Sequence, residues 1–541
     1  MKKSSLLLLA VLAVSLGLLS TQLRRVFGVQ AHALGGNESV TNGGPTSTGL
    51  QRKSLSNFGE NAAEGPMPQA VRSAPVTLSV EPAASGNTHA HSKPNPFTHT
   101  SEDRLSTFAV DVDTASYALF RRHVGMGGLP PPASIRIEEW VNAFRYRYPA
   151  PTEGDFRVDL EGAPSPFTPG RHLLKVGLQG RTLTQGQRKP THLVFLVDTS
   201  GSMNGPDRLG LAQRSMKLML EGLNPQDTVA LVTYAGSVRD VLPPTSASQQ
   251  DVILRAIESL SAGGGTSMGS GLELAYRHAV KKVSPGAVSR VVVLSDGDAN
   301  LGPNLTKEAM FASIQGYVQE GVTLSTIGFG MGNYRDDVME QLANKGNGNS
   351  FYIDSEREAR RVFQERLAGT LEVIAQDVKV QVEFDARAVR GYRLLGYENR
   401  AVADRDFRDD KVDAGEIGAG HTVTALYEVE LTGEGQHVAT VRVRAKRPGG
   451  VEAAEQRFPF ERQQLHPSLA AASADLRFAT AVAGTADILR GAPQASDWSL
   501  ATAEALAEEA VEGLSDRAEF LGLLRLVRER RTPSVAGGSA E

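Results

Sequence analysis

Three short segments, far apart in the chain, carry oxygen-bearing side chains that could close around one hard cation. The first is Asp198-Thr199-Ser200-Gly201-Ser202, directly after the apolar run Leu193–Val197. The second is Gly263-Gly264-Gly265-Thr266-Ser267. The third is Ser295-Asp296-Gly297-Asp298, directly after Val291–Leu294. A small hard cation such as Mg2+ or Mn2+ takes about six oxygens at roughly 2.1 Å. Asp198, Ser200 and Ser202 can project from one tight loop, in which Gly201 turns the backbone without a Cβ clash. Thr266 adds a hydroxyl from a compact glycine loop, and Asp296 adds a second carboxylate, directly or through water. Two carboxylates nearly neutralise the ion and the hydroxyls are weak neutral ligands, so water or an external carboxylate must complete the shell. Taken singly, the segments also read as a helix cap with a turn, a flexible loop and a β-turn. Their order and their placement at strand ends favour the metal site.

Such loops need a scaffold. Between residues 190 and 370 the hydrophobic pattern alternates between strands and helices. Strands are expected at 192–197, 228–235, 290–295, 322–328 and 350–354. Helices are expected at 207–222, 249–260, 268–282, 305–319, 334–345 and 356–368. The strands are near-continuous apolar runs, as in a parallel sheet covered on both faces. The fold class is therefore α/β, with an open, doubly wound, mostly parallel sheet. Ligands on such sheets bind beyond the carboxyl ends of the strands, where Asp198 and Asp296 fall.

The flanks differ. Residues 101–189 begin with a strand at Phe108–Val112 and a helix at Thr114–Val124. A helix comes next at Ile135–Phe144, with Ile137, Trp140, Val141 and Phe144 on one face. Alternation over 156–180 indicates two β-strands. Residues 371–462 return to β, with clear alternation at 378–384, 422–431 and 437–446. Residues 463–530 read as amphipathic helices, and 531–541 as a disordered tail. The β-segments of the two flanks are expected to pack into one β-sandwich, with the α/β domain inserted between them.

The chain has 541 residues, 40% of them hydrophobic and 22% charged, which indicates a globular protein of several domains. The net charge of −4 gives no electrostatic reason to propose nucleic-acid binding. With no cysteine, disulfides, thiolate metal sites and a cysteine nucleophile are excluded. Met1-Lys2-Lys3 precedes the apolar run Leu6–Leu19, which is short for a membrane span. Residues 1–33 are read as a signal peptide ending near Ala31-His32-Ala33, or as an uncleaved N-terminal anchor. Either places the body in the periplasm or cell envelope and confines membrane contact to this segment. Residues 34–100 are a polar tether rich in Gly, Ser, Thr, Asn and Pro; its His89, His91 and His99 are read as part of that tether.

Other clusters have plainer readings. Asp111, Asp113 and Ser116 are expected at a strand end, with Asp113 or Thr114 capping the next helix. Asp404, Asp406, Asp409, Asp410, Asp413 and Glu416 are read as a solvated acidic loop, since they lack the central Gly and regular alternation of a calcium loop. No Walker or H-E-x-x-H motif is present, and the chain is not read as an enzyme.

The set Asp198, Ser200, Ser202, Thr266 and Asp296 resembles the metal-ion-dependent adhesion site of von Willebrand factor type A domains, with no ligand replaced. The flanks resemble those of a family of bacterial proteins of this type. They carry FAVDVDTASY at 108–117, GGLPPPASIRIEEWVNAF at 127–144, GYENR at 396–400 and DDKVDAGEIGAGHTVTALYE at 409–428. The resemblance implies a metal-dependent protein–protein contact, in which a partner's Asp or Glu binds the held Mg2+ or Mn2+. The alternative is an accessory subunit of an envelope enzyme or assembly complex, in which the metal is structural.

Overall fold

The computed structural model describes residues 93–265, 268–297, 306–330 and 336–531. The expected signal or anchor, most of the tether and the tail lie outside the described residues. The N-terminal flank contributes β1 (Thr98–His99), β2 (Leu105–Ala109), β3 (Phe156–Pro164) and β4 (Arg171–Gly180), with helices Ala115–Gly125 and Ile137–Asn142 between β2 and β3. The α/β domain contributes β5 (Thr191–Asp198), β6 (Thr228–Tyr234), β7 (Val238–Ser246), β8 (Val288–Ser295), β9 (Val322–Gly328) and β10 (Ser350–Tyr352). The C-terminal flank contributes β11 (Val373–Phe384), β12 (Val389–Leu395), β13 (Gly415–Gly418), β14 (Thr422–Leu431), β15 (His437–Lys446) and β16 (Ala453–Glu461).

In the α/β domain the strand order is β10-β9-β8-β5-β6-β7, parallel except for the edge strand β7. Alternation along β5 explains the two layers of helices. Leu193, Phe195 and Val197 face helices Leu209–Glu221 and Gln250–Glu258, while Val194 and Leu196 face Met268–Val280 and Lys307–Gln319. The chain runs from β5 outward to β6 on one side, and β8 pairs on the other. The crevice at that change of direction lies at the ends of β5 and β8.

The flanking strands form a β-sandwich. One sheet runs β1-β12-β14-β4-β3, so strands from both sides of the α/β domain share it. β14 pairs with β4 from Thr422↔Gln179 to Glu430↔Arg171. The facing sheet is β13-β11-β15-β16, with β2 also on β11. Leu174, Val176 and Leu178 from the first sheet meet Val378, Val380, Val382, Val441 and Val443 from the second in one core. The α/β domain is thus inserted between β4 and β11, as the alternation in the flanks indicated. The sandwich begins at Thr98, ahead of the tether boundary read from composition.

The outer face of the first sheet is covered by helix Ala474–Arg490. Its small residues Ala479, Ala483 and Ala486 share a core with Trp140, Phe144, Leu173 and Leu426. Helices Leu500–Glu509 and Ser515–Arg531 complete that layer. The helix expected at 356–368 is interrupted. Glu356–Arg360 is α-helical, Arg361–Glu365 is a π turn, and Leu367–Leu371 resumes the α-helix.

Candidate metal centre

Asp198 is the last residue of β5, and Asp296 comes directly after the last residue of β8. These strands pair in parallel through Val197↔Leu294, so the two carboxylates leave adjacent strand ends. The loop after Asp198 is fixed by main-chain hydrogen bonds. Thr199 N donates to Tyr234 O at 2.9 Å, Gly201 N to Gly264 O at 3.0 Å, and Gly263 N to Thr199 O at 2.8 Å. The last two tie the glycine loop to the Asp198–Ser202 loop. Gly264 (φ +88°) and Gly297 (φ +87°) sit in the left-handed region that favours glycine.

Asp198 is fully buried, and Asp296 and Ser200 nearly so. Asp198 Oδ1 accepts from Ser200 N at 2.9 Å, and Oδ2 accepts from Ser295 Oγ at 3.1 Å. Ser200 Oγ and Ser202 Oγ are 2.9 Å apart. Among the described residues, no Lys or Arg is paired with the Asp198 carboxylate. Burial pushes its carboxyl up to about 6; hydrogen bonds from Ser200 oppose the shift, and the like charge of Asp296 adds to it. A buried carboxylate next to a second one, with two hydroxyls in contact beside it, is a hard-oxygen donor set that fits a divalent cation. Among the described residues there is no cluster of three or more His, Asp or Glu able to hold a metal, so the serine hydroxyls are needed for any such site.

Four of the five residues singled out in the sequence, Asp198, Ser200, Ser202 and Asp296, therefore stand around one crevice. Thr266 lies outside the described residues. Three further contributors had not been singled out. Ser295 Oγ bridges Asp198 Oδ2 and Gly297 N, the latter at 3.1 Å. Its place directly before Asp296 was the available signal. Tyr234, opposite Asp198 in the β5–β6 register, has its phenol pushed well above the ordinary value by burial and by the Asp198 carboxylate. Arg208 Nη1 donates to the Ser202 carbonyl at 2.5 Å, and no spacing in the sequence announces it.

The other clusters differ from their expected readings. Thr114 is the residue at the helix start, but no side chain caps the helix there. Asp113 instead accepts from Ser350 N at 2.8 Å, and Arg400 reaches Asp111 at 3.1 Å, Asp113 at 2.9 Å and Glu340 at 3.3 Å. These contacts fasten the sandwich to the α/β domain, which makes tertiary pairing a stronger claim on Asp113 than capping. The acidic segment is not one solvated loop either. Asp410 pairs with Arg444 at 2.9 Å, and Glu416 is buried.

An open parallel sheet with Asp-x-Ser-x-Ser after its central strand and Asp after the neighbouring strand defines a von Willebrand factor type A domain. Residues 192–365 match the family model of that description. Residues 83–175 match a model described as von Willebrand factor. Residues 369–439 and 431–529 match one described as the C-terminal part of uncharacterized protein YfbK. Uncharacterized protein YfbK of Escherichia coli (strain K12) is 38% identical over 462 residues, covering 80% of this chain and 79% of the relative. The chain belongs to the YfbK family of von Willebrand factor type A proteins. Uncharacterized protein sll0103 of Synechocystis sp. (strain ATCC 27184 / PCC 6803 / Kazusa) is 26% identical over 204 residues, 38% of this chain and 46% of that one. Among solved structures, a von Willebrand factor type A protein from Catenulispora acidiphila aligns with a TM-score of 0.42 at 19% identity, covering 71% of this chain and 91% of that chain. Domains of this type commonly mediate protein–protein contacts and commonly bind a divalent metal. Among the described residues no helix is long and apolar enough to cross a membrane.

Proposed function

We propose that this chain is a metal-dependent protein-binding module of the cell envelope and not an enzyme. Asp198, Ser200, Ser202, Thr266 and Asp296 would hold Mg2+ or Mn2+, and an Asp or Glu of a protein partner would fill the open coordination position. The cation supplies an electrostatic anchor for that carboxylate. The chain's own residues orient it: the hydrogen bonds from Ser200 N and Ser295 Oγ fix Asp198, and the Gly263–Gly265 loop is pinned to the Asp198–Ser202 loop. The observation that carries this reading is the buried Asp198 carboxylate beside Asp296 and the Ser200–Ser202 hydroxyl pair, with no Lys or Arg paired to it among the described residues. The envelope location rests on Met1-Lys2-Lys3 and the apolar run after it.

The test is capture from an envelope extract on the immobilised full chain. Partners should be retained in Mg2+, released by EDTA and lost with Asp198→Ala, while the circular dichroism of that variant stays that of the wild type. Retention that ignores EDTA and Asp198→Ala would overturn the binding role. An Asp198→Ala variant that loses its fold would instead favour a structural metal.

A further inference from the structure

Where the α/β domain hands the chain to the sandwich, the structure forms a partly open cavity of about 340 Å³, in the lower range for small-molecule sites. Its lining includes Phe351 at the end of the parallel sheet, Arg366 and Gly369 from the connecting helical segment, and Gln179, Leu183 and His421 from the sandwich.

Two of these side chains face the cavity with hydrogen-bonding capacity to spare: Arg366, which is half-buried, and the buried His421. Arg366 makes one side-chain hydrogen bond among the described residues, Nη2 to the Ala143 carbonyl at 3.1 Å, and no carboxylate pairs with it there. Glu358, the acidic group with the largest pull on it, is engaged by Arg121 and Arg361. His421 is only 8% exposed, and its Nδ1 is buried without a hydrogen-bond partner. Its ring lies directly over Gly369, where a Cβ would fall 2.3 Å from both Cδ2 and Nε2. Buried polar groups are costly unless something satisfies them.

The lining also carries Arg145 and Glu365, which pair with each other at 3.0 Å and leave Arg366 as the net positive charge. Arg290 is fully buried and donates to Ser325 Oγ and to the Thr370 carbonyl, not to a carboxylate. Burial, Arg366 and Arg290 together push the His421 imidazole down to about 3, so at neutral pH it is uncharged, with one N–H free to donate. The π turn Arg361–Glu365 directly precedes Arg366. An extra residue in a helical turn rotates the side chains beyond it by about 100° relative to an unbroken α-helix.

We propose that this cavity binds a small oxyanion, a carboxylate or phosphate group, through the guanidinium of Arg366 and the imidazole of His421. Phe351 and Leu183 would meet an apolar remainder of the ligand. Gly369 keeps the space open for the imidazole. The site is separate from the metal centre and requires no metal.

The experiment uses the full chain stripped of metal on a chelating resin, so its outcome is independent of the metal-dependent reading. Thermal unfolding and isothermal titration are run with inorganic phosphate, with succinate and with chloride at matched ionic strength. Phosphate, succinate or both should raise the melting temperature while chloride does not, and the responding anion identifies the group recognised. Arg366→Gln should weaken that binding at least about tenfold, the loss expected when a charge-assisted hydrogen bond is removed. His421→Ala should weaken it independently. Equal responses to all three anions, or retention of the response in both variants, would overturn the proposal.

Discussion

Replacing Glu358 with Gln should loosen the seam between the N-terminal flank and the end of the α/β domain. Glu358 is buried in helix Glu356–Arg360 and accepts from Arg121 Nη2 at 2.8 Å and Arg361 Nη2 at 2.6 Å. Arg121 belongs to helix Ala115–Gly125 of the flank. Burial alone would raise the Glu358 carboxyl, but the two guanidinium groups outweigh it and hold the carboxyl at about 2, against an ordinary 4.5. Each unit of such a shift is worth about 1.4 kcal/mol, so the ionised side chain contributes on the order of 3 kcal/mol. Glu358→Gln keeps the volume and removes the charge, and Arg121 retains Asp354 at 2.6 and 2.5 Å. A folded-state value below the unfolded one means that the contribution is full above about pH 4.5 and fades as pH falls toward 2. Urea unfolding followed by circular dichroism, in steps from neutral pH downward, should show a constant deficit of about 3 kcal/mol that shrinks below the unfolded value. A deficit below about 1 kcal/mol at neutral pH, the range of an exposed pair, or one that grows on acidification would refute the reasoning.

Asp487 and Arg393 form an ion pair with both side chains fully buried under helix Ala474–Arg490. Asp487→Ala should cost about 3–5 kcal/mol in chemical unfolding by stranding Arg393, and the double replacement Arg393→Met with Asp487→Leu should recover most of it. A Cβ on Gly348 would meet the Leu324 carbonyl oxygen at 2.1 Å. Because that neighbour is backbone, Gly348→Ala should lower stability by about 1–3 kcal/mol, read as a fall in melting temperature.

The α/β domain was legible because its strands are apolar runs and its helices are amphipathic, and both patterns are local. Strands expected at 192–197 and 290–295 appear as Thr191–Asp198 and Val288–Ser295, and the one expected at 322–328 has those bounds. The strand Val238–Ser246 is not announced by its sequence, because Pro243 and Pro244 argue against a central strand; it survives as the sheet edge, where missing N–H donors are tolerated. The strands Val389–Leu395 and Ala453–Glu461 are also hidden, since Arg393 in the first and Arg457 in the second blur the apolar pattern that announces a strand. The candidate metal ligands declared themselves through residue type and position after a strand. The supporting contact of Arg208 and the pairing of Arg400 with Asp111 and Asp113 depend on tertiary structure, and only the folded chain brings those groups together.

The account turns on a divalent cation at the end of β5. Thermal unfolding of the full chain in Mg2+, Mn2+, Ca2+ or EDTA, with Mn2+ titration to count the ions, tests that on the wild type and on Asp198→Ala. The wild type should melt higher in Mg2+ or Mn2+ than in EDTA, because a ligand bound only by the native state stabilises it, and should bind a single Mn2+ with both effects lost in Asp198→Ala. No shift with any metal, or the same shift in Asp198→Ala, would contradict the account.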